Sequence, residues 1–409
     1  MEQVLYSLPD GWEWQTLSET TLNAKADIVD GPFGSNLKAS EYVNEGVPIL
    51  RLQNVDRLSF INKNIQFITK EKAEQLSRHS YKVGDIVITK LGAPLGKACI
   101  VPDDFEDGRI VADIVRARIN EDAFDKRYIC YAINSSVCVK QLESQTKGAT
   151  RPRVNLSHMR GLILPVAPIA EQKRIVEKLD ALLTRIDTAI EHLQESVTLV
   201  DALLKSSLSS MLTKQEHWDK VRLNDVCQIT SKLCDPREEE YLDMFHIGGA
   251  NITSFSGELI GLKTAREEKL ISGKFPFDNS MVLYSKIRPY LMKVARPSIS
   301  GICSADIYPL TPDNQKMNRD FLFYLLLSDL FTQYAIEGSS RAGMPKVNRK
   351  HLFNFEFFLP SIDEQKSICE SLDNLVEKTN EVSKELTGKL SYLAGLKASI
   401  LESAFKGQL

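Results

Sequence analysis

Gly92-Ala93-Pro94-Leu95-Gly96-Lys97-Ala98 is a stretch of this chain that approaches a phosphate-binding loop. That chemistry needs four residues between the glycines, so that backbone N–H groups wrap the phosphates, and a Ser or Thr after the lysine to hold magnesium. Here three residues separate the glycines and Ala98 replaces the hydroxyl, so no nucleotide site is read. Glu171-Gln172-Lys173 has the E-x-K form of a metal-dependent nuclease, with Pro102-Asp103 upstream. The triplet opens a long helical pattern, where such charges ordinarily face solvent, and nuclease chemistry is set aside. There is no Asn-Pro-Pro-Tyr-type motif for base amino-methylation and no glycine-rich S-adenosylmethionine loop. The six histidines lack HExxH spacing. No catalytic residue and no metal ligand is assigned.

Charge is more informative. Between Thr146 and Arg160 stand Lys147, Arg151, Arg153 and Arg160 without an acid. Between Gly338 and His351 stand Arg341, Lys346, Arg349 and Lys350, again without one. Asn279 to Ala305 holds Lys286, Arg288, Lys293 and Arg296, also acid-free. Cations beside Gly, Ala and Ser let a loop approach phosphates closely, and Arg can read guanine bidentately. Asn155 and Asn348 suit a base edge or a turn cap.

The positioning elements come in duplicate. Arg153-Val154-Asn155 returns as Lys346-Val347-Asn348 at an offset of 193 residues, and Glu171-Gln172-Lys173 returns as Glu364-Gln365-Lys366 at the same offset. Ala112-Asp113-Ile114 and Ala305-Asp306-Ile307, Tyr131 and Tyr324, Pro152 and Pro345, and Leu179-Asp180 and Leu372-Asp373 keep that register. Upstream the halves diverge, and Asp30-Gly31-Pro32-Phe33-Gly34-Ser35 has no counterpart. Two similar modules with variable fronts are implied.

Each front reads as short strands, such as 47–52 and 85–89, bounded by turn residues. Helices are predicted over 126–145 and 319–335, each followed by a basic loop and a closing strand. Then the period changes. From Ile175 to Met211 eleven apolar residues fall at a mean spacing of 3.6, the helical period. A second stripe runs Ile368, Leu372, Leu375, Thr379, Val382, Leu386, Leu390, Leu393, Leu396, Ile400. Ser361 with Glu364 forms a capping box at its start. A helix over 169–212 would be about 66 Å long at ~1.5 Å per residue. Its stripe needs a partner throughout, and the second long helix matches it. The expected fold is α+β: a pseudo-two-fold repeat of two globular domains separated by two long helices in an antiparallel coiled coil. The boundaries read as 1–166 (first domain), 167–213 (central helix), 214–360 (second domain) and 361–409 (C-terminal helix).

Composition sets outer limits. With 409 residues, 43% hydrophobic and 26% charged, the chain suits two or more soluble domains. A net charge of −3 gives no global attraction to nucleic acid, so binding must come from local patches. Seven scattered cysteines without a CxxC pair imply reduced thiols and a cytoplasmic location. No apolar stretch is long enough for a bilayer, and no membrane association is expected.

The segment Leu164-Pro165-Val166-Ala167-Pro168-Ile169-Ala170-Glu171-Gln172-Lys173 and its copy Leu359-Pro360-Ser361-Ile362-Asp363-Glu364-Gln365-Lys366 resemble the repeated element of type I restriction-modification specificity subunits. The tail from Ser399 to Leu409 is similar to that family's C-terminal end. The resemblance implies a non-catalytic subunit whose two target-recognition domains each read half of a bipartite double-stranded DNA target, with the helices setting the gap. It implies two methyltransferase subunits docked on this chain and restriction subunits joining them. S-adenosylmethionine, ATP and magnesium are then expected on the partners and none on this chain. The expected DNA contacts are Lys147, Thr150, Arg151, Arg153 and Asn155 in the first module. In the second they are Arg341, Lys346 and Asn348, with Lys286 and Arg288. Eight cations on phosphates would give a log–log salt slope of roughly −7. The alternative is a non-catalytic assembly scaffold built on the coiled coil.

Overall fold

The computed structural model describes residues 5–34, 36–146, 152–339 and 345–409. The chain divides into two compact units, Met1–Leu193 with Lys389–Leu409, and Gln194–Gly388.

In the first unit one sheet runs Ile28–Asp30, Ile114–Ala117, Ile86–Thr89, Ala98–Ile100, antiparallel throughout. A second runs Gln66–Ile68, Val47–Leu50, Gly108–Ile110, Ser80–Tyr81, and its middle pair is parallel. The central strand Ile86–Thr89 is buried on both faces, which explains its unbroken apolar run. Ile86 and Ile88 join the core built with helix Lys126–Ile133, whereas Val87 packs with Leu50, Tyr81 and Ile110 of the other sheet. Glu13–Thr16 pairs antiparallel with Ile163–Val166, which leads into the central helix.

The second unit repeats this plan. Its sheets run Cys227–Gln228, Ile307–Pro312, Val282–Ser285, Val294–Ala295, and Lys263–Thr264, Phe245–Ile247, Gly301–Ser304, Lys274–Phe277, again with a parallel middle pair in the latter. Asp219–Arg222 pairs with Glu356–Leu359. The duplication therefore extends through the fronts, where sequence identity fades. One trace of it survives there. Gly108 and Gly301 also stand 193 apart, at the parallel strand crossing. A Cβ on Gly108 would sit 2.2 Å from the Pro48 carbonyl oxygen, and one on Gly301 2.5 Å from that of Phe245. Only glycine permits that approach.

Each predicted front helix is two helices: Lys126–Ile133 with Ser136–Ser144, and Arg319–Leu327 with Asp329–Glu337. Neither break contains Gly or Pro. Ser328 is extended (φ −70°, ψ 152°), and its Oγ accepts from the Phe331 N–H at 3.2 Å, which caps the second segment. The side chain of Asn134 exchanges two hydrogen bonds with the backbone of Ala98.

The long helices are Ile169–Met211 and Ile362–Phe405. Within the first unit their segments run antiparallel. Arg174 donates to the Leu409 carbonyl and Lys397 pairs with Asp187. Leu179 and Leu183 share a core with Leu401, Ala404 and Phe405. Within the second unit Leu208 shares a core with Cys369 and Leu372. The stripe departs from expectation at Val382, which is 44% exposed while Ser383 and Leu386 are half-buried. All seven cysteines are free, and every one but Cys234 is buried. Burial pushes the thiols of Cys99, Cys138, Cys227 and Cys369 up to about 12.

Candidate nucleic-acid interface

The repeated residues sort into a joint and a loop seat. At the joint, Gln172 is buried. Its Oε1 accepts from the Asp125 N–H at 2.9 Å and its Nε2 donates to the Ala167 carbonyl at 2.8 Å. Gln365 does the same with the Asn318 N–H (2.7 Å) and the Pro360 carbonyl (2.9 Å), and also donates to the Lys316 carbonyl. Asp125 and Asn318 are the N-caps of the first front helices, so each glutamine ties a front helix to the start of a long one. Tyr131 donates to Asp180, and Tyr324 to Asp373 at 2.6 Å. The E-x-K triplet is thus a structural latch with a buried middle residue.

The loop seat is built where the sheet's central strand ends. In the first unit Val154 N–H donates to the Lys90 carbonyl, Gly92 N–H to that of Pro152, and Lys90 N–H to that of Asp113. In the second, Val347 N–H donates to the Lys286 carbonyl, Arg288 N–H to that of Pro345, and Lys286 N–H to that of Asp306. Lys90 therefore matches Lys286, Gly92 matches Arg288, and the aspartates match each other. Arg153 bridges Leu91 and Lys346 bridges Ile287 as isolated β-bridges. These backbone bonds hold the base of each basic loop against the sheet.

Arg153 is half exposed and pairs with Asp113 at 2.7 Å. Lys346 pairs with Asp306 at 3.2 Å, and Lys286 with the same carboxylate at 3.3 Å. Lys286 also donates to the Ala305 carbonyl and lies over the Tyr308 ring at 5.2 Å. Burial lowers its pKa, and the neighbouring Lys346 charge adds to that. Burial opposes ionisation of Asp306, but the two lysines outweigh it and hold its pKa below the usual carboxylate range. Arg288 is exposed, in a left-handed conformation (φ 52°), and lines a cleft of about 360 Å³ with Lys293 and Asp306.

Asn155 and Asn348 are helix caps. Each Oδ1 accepts, at 2.8 Å, from a backbone N–H three residues on, that of His158 and of His351. Arg160 donates to the Lys25 and Ile28 carbonyls, and Arg296 pairs with Asp373 over the Phe323 and Tyr324 rings, so both belong to the scaffold. Lys147, Thr150, Arg151 and Arg341 lie outside the described residues. The structure brings Lys286, Arg288 and Lys346 together, and sets Arg153 and Asn155 at the matching place in the other unit. Sequence reasoning misses Lys90 and the partner role of Asp113 and Asp306, although the repeated Ala-Asp-Ile triplet marks the aspartates. Among the described residues no group of three or more His, Cys, Asp or Glu side chains could hold a metal ion, and no helix is long and apolar enough to cross a membrane.

The chain is 28% identical to the Escherichia coli type I restriction enzyme EcoDI specificity subunit over 305 residues, 66% of this chain and 68% of that one. It is 23% identical to the StySPI specificity subunit of Salmonella potsdam over 432 aligned positions, 98% of this chain and 90% of that one. Two solved structures share its fold. A chain from a study of complex assembly and conformational transition of the type I R-M system superposes with a TM-score of 0.75 at 19% identity, covering 99% of this chain and 100% of that one. The HsdS subunit of Thermoanaerobacter tengcongensis gives 0.57 at 20% identity, with full coverage of both. The profile of the family described as type I restriction modification DNA specificity domain matches twice, at residues 35–199 and 215–392. With one match on each half of the duplication, the chain belongs to the family of type I restriction-modification DNA specificity subunits.

Proposed function

We propose that each unit reads one half of a bipartite double-stranded DNA target, with the basic loop seat as its contact surface, and that the long helices set the gap between the halves. The observation that carries this reading is the pair of equivalent loop seats, Arg153 over Asp113 and Lys346 over Asp306, at matching places in a duplicated fold. The chain itself does no chemistry. Two methyltransferase subunits dock on it and restriction subunits join them; S-adenosylmethionine, ATP and magnesium belong to those partners. Leu199 and Leu203 on the central helix and Tyr392 on the C-terminal helix are more than half exposed and suit a protein partner.

Mapping methylated adenines in the host genome tests this. A split motif is expected in the host and should vanish when this gene is deleted. A motif that persists, or that is lost only when an unrelated specificity gene is removed, overturns the reading.

A further inference from the structure

The two loop seats match in backbone but not in charge. In the first unit each cation has its own acid: Lys90 with Asp30 at 2.6 Å, Lys97 with Asp56 at 2.9 Å, Arg153 with Asp113 at 2.7 Å. Among the described residues that seat is electrically neutral. Thr89 N–H donates to the Lys97 carbonyl and Ser285 N–H to the Lys293 carbonyl, so Lys293 is the counterpart of Lys97. In the second unit Lys286 and Lys346 share the single Asp306. Lys293 donates to the Gly249 carbonyl, and among the described residues neither it nor Arg288 has a carboxylate within ion-pair distance. Gly92 occupies the place of Arg288 in the first unit. The second seat thus carries an excess of positive charge. Exposed Arg349 and Lys350 stand beside it, where the 193-residue offset puts Leu156 and Ser157 in the first unit.

Outside the described residues, the first loop has Lys147 and Arg151 where the second has Arg341, which narrows the difference by one charge without closing it. A cation already held by a carboxylate must give up that pair before it can neutralise a phosphate, and it releases fewer counterions. A cation with only a carbonyl partner has no such competitor.

Resting on the proposed DNA reading, we propose that the second unit is the stronger phosphate anchor of this subunit, and that the first unit, whose seat is neutralised by Asp30, Asp56 and Asp113, contributes less electrostatic grip. The probe is a random-sequence DNA duplex, and the measurement is the affinity of the full-length chain across a salt series. The double variant Arg288→Gln, Lys293→Gln should flatten the log–log slope by about 1.8, at ~0.9 for each phosphate no longer neutralised. Deleting the first-unit pair with Lys97→Gln, Asp56→Asn should leave the slope within about 0.4 of the parent, under half the share of one phosphate. Releasing Lys97 alone, by Asp56→Asn, should steepen it by about 0.9. Equal flattening by the two double variants, or no change on releasing Lys97, overturns the asymmetry and leaves DNA binding intact. A parent chain whose affinity ignores salt sinks the DNA reading itself.

Discussion

Gln172 and Gln365 show how a residue can be conspicuous in sequence and still be misread. The repeated Glu-Gln-Lys triplet is plain in one dimension, but polar residues at a helix start suggest a solvated face, and only packing reveals that the middle side chain is buried with its amide engaged at both ends. Replacing Gln365 with the similarly shaped Met strands the Asn318 N–H and two carbonyls, which should lower stability by about 1–3 kcal/mol. A urea melt reads this directly; a loss below about 0.5 kcal/mol would mean that the latch is dispensable. The candidate DNA-binding residues are partly legible for a related reason. Runs of cations without acids stand out along the chain, whereas the aspartates that partner Arg153 and Lys346 lie 40 residues away in each case.

At the scale of elements, the long helices and the cap of the C-terminal one can be read directly, because both signals are local. Ser361 Oγ donates to Glu364 at 2.7 Å, the Ser361 N–H donates to the same carboxylate at 3.0 Å, and His217 approaches it at 2.6 Å. Ser361→Ala should cost about 1 kcal/mol, seen as a lower melting temperature. Hydrogen bonds from His217 and Ser361 hold the Glu364 carboxyl at about 2, below its ordinary value. A depressed carboxyl stabilises the fold fully above its unfolded value of ~4.3 and loses that contribution as pH falls toward the folded one. The Ser361→Ala deficit should therefore be constant near neutrality and shrink below about pH 4; a deficit still undiminished in strong acid would remove the carboxylate from the cap. The break at Asn134 is hidden in the sequence because its side chain is bound to the backbone of Ala98, 36 residues away, whereas Ser328 is a local cap signal, the N-cap of the segment that follows it.

At the scale of the whole chain, duplication of the backs is evident from the 193-residue offset, whereas duplication of the fronts becomes visible only in the strand order. Sheets constrain which positions are apolar far more than which apolar residue fills them, so the two fronts differ in sequence while keeping one topology. Gly108 and Gly301 match because no side chain fits there. The sulfur inventory has a practical outcome. With six thiols sealed inside and only Cys234 reaching solvent, a maleimide or iodoacetamide reagent applied to the native chain should leave a single adduct, in the second unit, identifiable by peptide mass mapping. Its thiol is raised by burial, so labelling should quicken on mild alkalinisation. A dye placed there would give the anchor unit its own optical reporter, with no engineered cysteine needed.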